Sequence, residues 1–187
     1  HRQSSAASDV YKRQVYTPIV ENMPSGSAIR PGDVLKMRNG KTIEVMNTDA
    51  EGRLIMADAL AYASESSPDL ICDVATLTGA AYVALGVEIG AVFSNNDSTL
   101  ENFLNSNLDG FENYHSLPLE QSYKSLIKSS IADMKNSGGR FGGAITAALL
   151  LEEFVDDIDW IHLDIAGPGR SRSSSAIYPE GLSLIHI

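Results

Sequence analysis

The chain has 187 residues, 43% of them hydrophobic, with 14 basic against 24 acidic side chains and a formal net charge of −10. That length supports one domain with a real core, and an acidic chain without a basic stripe argues against a nucleic-acid partner, whose phosphates need Lys and Arg. Cys72 is the single cysteine, which excludes an intramolecular disulfide and a cysteine-based zinc site; with no recognisable signal peptide and no apolar run long enough to cross a bilayer, the expectation is a cytoplasmic protein with no membrane partner.

The two ends stand apart from the rest. Residues 4–14, SSAASDVYKRQ, read as the translation of a transposase sequencing adapter. The codons that would give the last six residues, LSLIHI, are the reverse complement of those for DVYKRQ. The alternative at the start is a disordered Ser/Ala-rich tail. The expected organisation is a non-native tail over 1–14, a partial catalytic domain over 15–181 and a second non-native tail over 182–187. Different codons at both ends of the nucleotide record would remove this reading.

In chain order, Val15 to Val20 (VYTPIV) reads as a buried strand, with Pro18 at an edge or strand end. ENMPSGSAIRPGD follows as a loop. VLKM and KTIEVM flank RNG, which predicts a tight hairpin with Asn39 and Gly40 both at positive φ. From Glu51 the period becomes helical, with Ile55, Ala59, Tyr62 and Ala63 in phase, and the helix closes near Ser66 to Pro68. Asp69 to Ala75 (DLICDVA) is a short apolar run of the kind buried on both faces of a parallel sheet. Further strands are predicted at Ile89 to Phe93 and Trp160 to Ile165, and helices at Thr99 to Leu108, Glu120 to Lys128 and Gly143 to Asp156. This alternation predicts an α/β fold: a mixed, mostly parallel sheet flanked by helices.

Several stretches carry chemistry or a plainer alternative. Thr48-Asp49-Ala50-Glu51 matches the capping box of a helix start, and acids there also suit the helix dipole. If the segment is extended, Asp49 and Glu51 point to one side and offer two carboxylates to hard divalent ions, with Arg53 close enough to hold an anion. Thr76-Leu77-Thr78-Gly79 follows a strand, where open α/β sheets place ligands; an ordinary strand-to-helix connection is the alternative. Asn136 to Gly143 (NSGGRFGG) lacks the ending of a phosphate-binding loop and reads as an active-site loop entering a helix at Ala144. His162 and Asp164 alternate with Ile161, Leu163 and Ile165, which suggests a strand with polar residues on one face. His115 reads as a surface or loop histidine, and Met56 as core packing.

NTDAEGRL resembles the signature of the leucyl (cytosol) aminopeptidase family, and ENMPSG, PGDV, RNGKTIEV, ADAL, ATLTGA, ALG, DMKNSGG and HLDIAG stand in that family's order over most of Val15 to Gly167. The resemblance implies a two-metal exopeptidase that releases N-terminal amino acids, leucine-type, from peptides or amino-acid amides, using Mn²⁺ or Zn²⁺. It makes Asp49 and Glu51 metal ligands, with Glu51 bridging both ions, and Arg53 the catalytic arginine that holds a bicarbonate. It makes Thr76, Leu77 and Gly79 part of the substrate pocket, and it implies a hexamer. The family's upstream ligands, an aspartate and a lysine in an FDSGG region, a second lysine and an aspartate in a DMGGAA-like helix, have no counterpart here, which reads as truncation. The chain alone is therefore expected to be inactive. Two other readings stay open: a non-catalytic oligomeric structural or regulatory member of the same fold, and a phosphoryl-transfer enzyme using the Gly-rich loop, which has no Walker-like motif behind it.

Overall fold

The computed structural model describes residues 12–106, 112–171, 173–174 and 180–182. The elements in chain order are β1 (Val34–Lys36), β2 (Thr42–Glu44), α1 (Glu51–Ser64), β3 (Leu70–Ala75), α2 (Gly79–Leu85), β4 (Ile89–Ser94), α3 (Asp97–Ser106), β5 (Asn113–Ser116), β6 (Met134–Lys135), α4 (Gly143–Glu152), β7 (Asp159–Asp164), β8 (Arg170–Ser171) and β9 (Gly181–Leu182). Two 3₁₀ segments, Thr48–Ala50 and Gln121–Ile127, complete the set.

The central sheet has the strand order β3-β7-β4-β5. β3 runs parallel to β7 and β4 parallel to β5, while β4 and β7 are antiparallel, so the sheet is mixed and mostly parallel, as expected. One face is covered by α1, α2 and α4 through a core that includes Leu54, Ala57, Leu149, Leu150 and Trp160. On the other face Val92, Ile161, Leu163 and Ile165 pack against Leu100, Phe103 and Leu104 of α3. A smaller sheet, β1-β2-β6, sits beside the first and is tied to α1 where the Arg38 amide donates to Asp58 Oδ1 (2.8 Å).

Several sequence expectations are corrected. Val15 to Val20 forms no strand; Val15 and Ile19 are 89% and 85% exposed, and Pro18 lacks the amide a ladder needs. The hairpin is real, but its loop has three residues, with Met37 N bonded to Lys41 O and Gly40 N to Met37 O. Only Gly40 has positive φ (90°), the arrangement in which a turn is followed by one left-handed glycine. In α1 the buried stripe is Leu54, Ala57, Leu60, Ala61 and Ser64, and Tyr62 points to solvent, because the helix lies on the sheet by its small residues. β3 is an edge strand among the described residues, with alternating exposure: Ile71 and Asp73 are buried while Leu70 and Cys72 are exposed, because successive side chains point to opposite faces and only one face is covered there. The predicted helix at 120–128 is the 3₁₀ segment, started by Glu120 accepting from Ser122 N (3.1 Å). α4 stops at Glu152, earlier than predicted, and Asp156 takes positive φ. Residues 107–108 of the predicted third helix lie outside the described residues.

Inside the first core, residues 160, 162 and 164 of β7 share one face, and that face is buried, with His162 at 0% and Asp164 at 1% exposure. Asp73 of β3 stands opposite His162 in register and binds it, Oδ1 to Nδ1 at 2.6 Å. The indole of Trp160 donates to the other oxygen of Asp73 at 2.7 Å. The imidazole also stacks on Trp160 (5.9 Å, 11°) and on Phe93 (5.8 Å, 24°). A polar face that would ordinarily look to water is thus largely satisfied within the core, with Nε2 of His162 left without a partner among the described residues.

Candidate active site

The cleft lies at the carboxyl ends of β3 and β7, where parallel strands leave room for ligands. It has a volume of about 210 Å³ and is lined by Asp49, Arg53, Leu77, Gly79, Arg140 and Thr146, among others. Three loops more than 80 residues apart at their extremes converge on it, and two buried side chains fix their positions.

Asn136, fully buried, is the first of these. Its Oδ1 accepts from Met46 N (2.8 Å) and Asn47 N (3.2 Å), and its Nδ2 donates to Asn47 O (2.7 Å). Its own carbonyl accepts from Arg53 Nη1 at 2.8 Å. One amide side chain therefore locks the turn before α1 onto the Gly-rich loop and seats the guanidinium between them.

Asp164, at the end of β7, is the second. Oδ1 accepts from Leu77 N (3.0 Å), Thr78 N (3.2 Å) and Ala166 N (3.2 Å), and Oδ2 from the Thr78 hydroxyl (2.6 Å). Thr78 in turn caps α2 by accepting from Ala81 N. Four donors to one carboxylate shape the Thr76–Gly79 connection and satisfy a buried charge.

The turn carrying Asp49 differs from either sequence expectation. Thr48 caps nothing; Asn47 is the cap, accepting from Asp49 N at 3.0 Å, and α1 starts without a side-chain cap. Thr48–Ala50 is a 3₁₀ turn and not extended. Residues two apart in such a turn are rotated by roughly 240°, so Asp49 and Glu51 do not share a side. Accordingly Asp49 lines the cleft, whereas Glu51, half-buried at the first position of α1, does not; nor does Thr76. Neither carboxylate, Asp49 nor Glu51, has a hydrogen-bond or ion-pair partner among the described residues.

Arg53 is the electrostatic centre. Burial pushes the pKa of its guanidinium down from its ordinary value, the nearby charge of Asp164 opposes that, and an arginine so placed stays charged. Its Nε is buried without a partner, so part of its donor fork is uncommitted. Arg140 adds a second, exposed guanidinium at the rim. The Gly-rich loop enters α4 through Gly142 at φ 61°, where a side chain would strain the backbone and meet the Tyr123 ring.

For metals, the donor chemistry fits a hard divalent cation, since the two carboxylates have no other partner. Their number makes only a share of a site: no group of three His, Cys, Asp or Glu residues able to hold an ion occurs among the described residues. A larger cavity of about 530 Å³ at the opposite end of β7 is acidic, and two of its acids, Glu152 and Glu153, are already paired with Lys41 and Lys124. Sequence reasoning gave no role to Asn136 or Asp73 and treated Asp164 as one polar strand position. The available signal was a charged residue inside the apolar run LICDVA, facing polar residues at period two in WIHLD.

The comparisons with known proteins agree with this architecture. A protein named "Probable cytosol aminopeptidase" from Syntrophotalea carbinolica is 53% identical over 164 residues, 88% of this chain. This chain spans about a third of the length of the curated relatives it matches (33%). Among solved structures, a lysine-to-glutamate mutant of tomato leucine aminopeptidase superposes with a TM-score of 0.79 at 49% identity, over 81% of this chain and 30% of that one. The bottromycin maturation enzyme in complex with Mn gives a TM-score of 0.83 at 40% identity, over 88% and 37%. Sheet order, loop positions and these likenesses converge: the chain belongs to the cytosol aminopeptidase family and matches that family's catalytic domain over residues 5–183.

Proposed function

We propose that this chain is part of the catalytic domain of a two-metal aminopeptidase, residues 15–181 between non-native tails, and that it supplies one half of the active site. One observation carries the reading: the half-buried Arg53, whose Nε has no partner among the described residues, lines the same cleft as Asp49, whose carboxylate is unpaired among those residues, and as Leu77, Thr78 and Gly79. Family membership supports the same reaction class.

In this reading Asp49 and Glu51 would be ligands of two divalent ions, Mn²⁺ or Zn²⁺, Glu51 once a rotation of the Thr48–Ala50 turn brings its carboxylate round to the cleft. When bound, the ions supply Lewis acidity to the scissile carbonyl and a more acidic water as nucleophile. Arg53 would hold an anion such as bicarbonate, a proton acceptor, with the N–H groups it does not give to the Asn136 carbonyl. Thr76, Leu77 and Gly79 form the substrate wall. The Leu77 amide is already given to Asp164, so its carbonyl is the group it offers to a substrate N–H. The substrates are peptides or amino-acid amides with a free amino terminus, leucine-type, and the parent is a cytoplasmic homo-oligomer, a hexamer, with no nucleic-acid or membrane partner. No helix among the described residues is long and apolar enough to cross a membrane.

Hydrolysis of leucyl amide with Mn²⁺ tests this. The full-length parent should release leucine, and Arg53→Ala should lower its kcat by about 100-fold, the loss typical of one anion-stabilising donor. The 187-residue chain alone should release none, because two carboxylates cannot complete a two-metal site. An inactive but assembled parent would favour the non-catalytic structural alternative, and turnover by the chain alone would contradict the half-site.

A further inference from the structure

The function proposed above leaves one buried group unused. His162 is fully buried, and its Nε2 is, with Arg53 Nε, one of two buried side-chain atoms without a partner among the described residues. We propose that His162 is a positioning residue for the cleft: held as an imidazolium by Asp73, it balances the buried charge around Asp164 and so keeps Asp164 the acceptor that shapes the Leu77–Thr78 main chain.

The charges facing the ring can be named by element. β3 contributes Asp73, β7 contributes Asp164, α1 contributes Arg53, and β4 presents only the Phe93 ring. With a neutral imidazole, the single cation Arg53 faces two buried carboxylates. With an imidazolium the buried set sums to zero, the arrangement a low-dielectric core tolerates. Geometry agrees: the 2.6 Å contact between Nδ1 and Asp73 lies in the short, charge-assisted range. The ring also lies parallel to two aromatic faces with centroids at 5.8 and 5.9 Å, within reach of a cation–π attraction. Burial disfavours the charge, but Asp73, by its charge and its hydrogen bond, and then Asp164 outweigh it, with Arg53 opposing, so the net displacement is upward.

The consequence reaches the cleft through Asp164. Without the imidazolium, Asp164 and Asp73 are two buried carboxylates sharing one cation, a repulsion relieved only if the end of β7 and the loop bonded to it shift toward water. The hydrogen bonds to Asp164 from Leu77 N, Thr78 N, Ala166 N and the Thr78 hydroxyl then lengthen, and the loop loosens. The inference rests on the cleft being a peptidase half-site, but its test reads no peptidase activity, so the two can fail separately.

Trp160 is the only tryptophan, and it stacks on His162, so its emission in the 187-residue chain reports the ring's protonation by quenching. Emission should rise with pH around a midpoint above 6.5. Through the same midpoint the Leu77 and Thr78 amides should lose about tenfold in hydrogen-exchange protection, beyond the intrinsic pH effect. Asp73→Asn should move the midpoint to 6.5 or below and weaken protection of both amides already at about pH 7. His162→Gln should abolish the emission titration; if it fails to fold, the unsubstituted chain and Asp73→Asn still decide. A midpoint at or below 6.5 in the unsubstituted chain, or protection at Leu77 and Thr78 that ignores it, would overturn the proposal.

Discussion

Replacing Asn136 by Ala removes the side chain that ties the Asp49 turn to the Gly-rich loop. Four hydrogen bonds disappear: those to Met46 N at 2.8 Å, Asn47 N at 3.2 Å and Asn47 O at 2.7 Å, which carry the energy, and a long one to Ala50 O at 3.5 Å, which adds little. A group left wholly unsatisfied costs about 1–3 kcal/mol. Met46 and Asn47 are themselves exposed, so water reaches part of what is stripped, which places each loss near 1 kcal/mol. The total is about 3 kcal/mol, a large share of the 5–15 kcal/mol typical of a domain. In urea, with a slope near 2 kcal/mol/M, the midpoint should fall by about 1.5 M. Trp160 emission follows the transition, and an unchanged slope would assign the effect to the native state. Asn136→Asp keeps shape and one acceptor but sets an oxygen against Asn47 O, so it should be about as destabilising. A loss under about 1 kcal/mol in Asn136→Ala would refute the idea that this residue organises the turn.

Three further outcomes follow from the same geometry. Asp164→Asn removes the charge that four donors share and should cost about 2–4 kcal/mol, with faster amide exchange at Leu77 and Thr78; native exchange rates there would argue that the loop holds itself. Gly167→Ala places a methyl group on the Gly86 carbonyl oxygen, with the Ile89 carbonyl oxygen at 3.4 Å. The Gly86 backbone or the Gly167 turn must then move, so a loss above about 3 kcal/mol is expected, and an unaltered thermal midpoint would count against the packing described. For pH, the imidazole of His162 is raised in the folded chain, so its stabilising contribution is complete below the unfolded value near 6.5 and is lost as the pH rises through the folded value. Urea-derived stability should therefore fall on the alkaline side of neutrality in the unsubstituted chain and lose that component in His162→Gln; a rise over the same range would reverse the sign of the argument.

How much was legible in the sequence can be seen residue by residue. The strands at 70–75, 89–94 and 159–164 were readable because short apolar runs bounded by turn residues have few other stable placements. The NTDAEGRL stretch was readable as a site, but its local form was not. Thr48 looks like the cap by pattern, whereas Asn47 takes that place because Asn136, far along the chain, already holds its main chain on both sides. The face of α1 was missed for a related reason: Tyr62 suits an apolar stripe by composition, but close approach to α4 and β3 selects Leu54, Ala57 and Ala61. Val15 to Val20 has the composition of a strand and no ladder partner among the described residues, and pairing is a property of two segments, not one. The buried Asp73–His162–Trp160 group was the hardest to foresee, because alternation in WIHLD reveals a shared face but not whether that face meets water or another strand's carboxylate.

The wide separations that join the cleft also govern when it can form. Asn136 meets Met46 across 90 positions, and Asp164 meets Leu77 across 87, as does Trp160 with Asp73. Each closure loses chain entropy before any contact repays it, and none is available to a hairpin or helix folding by itself. The β3–β7 ladder closes the same span of chain, Leu70 against Asp159, so the cleft is expected to form together with that ladder and not before it.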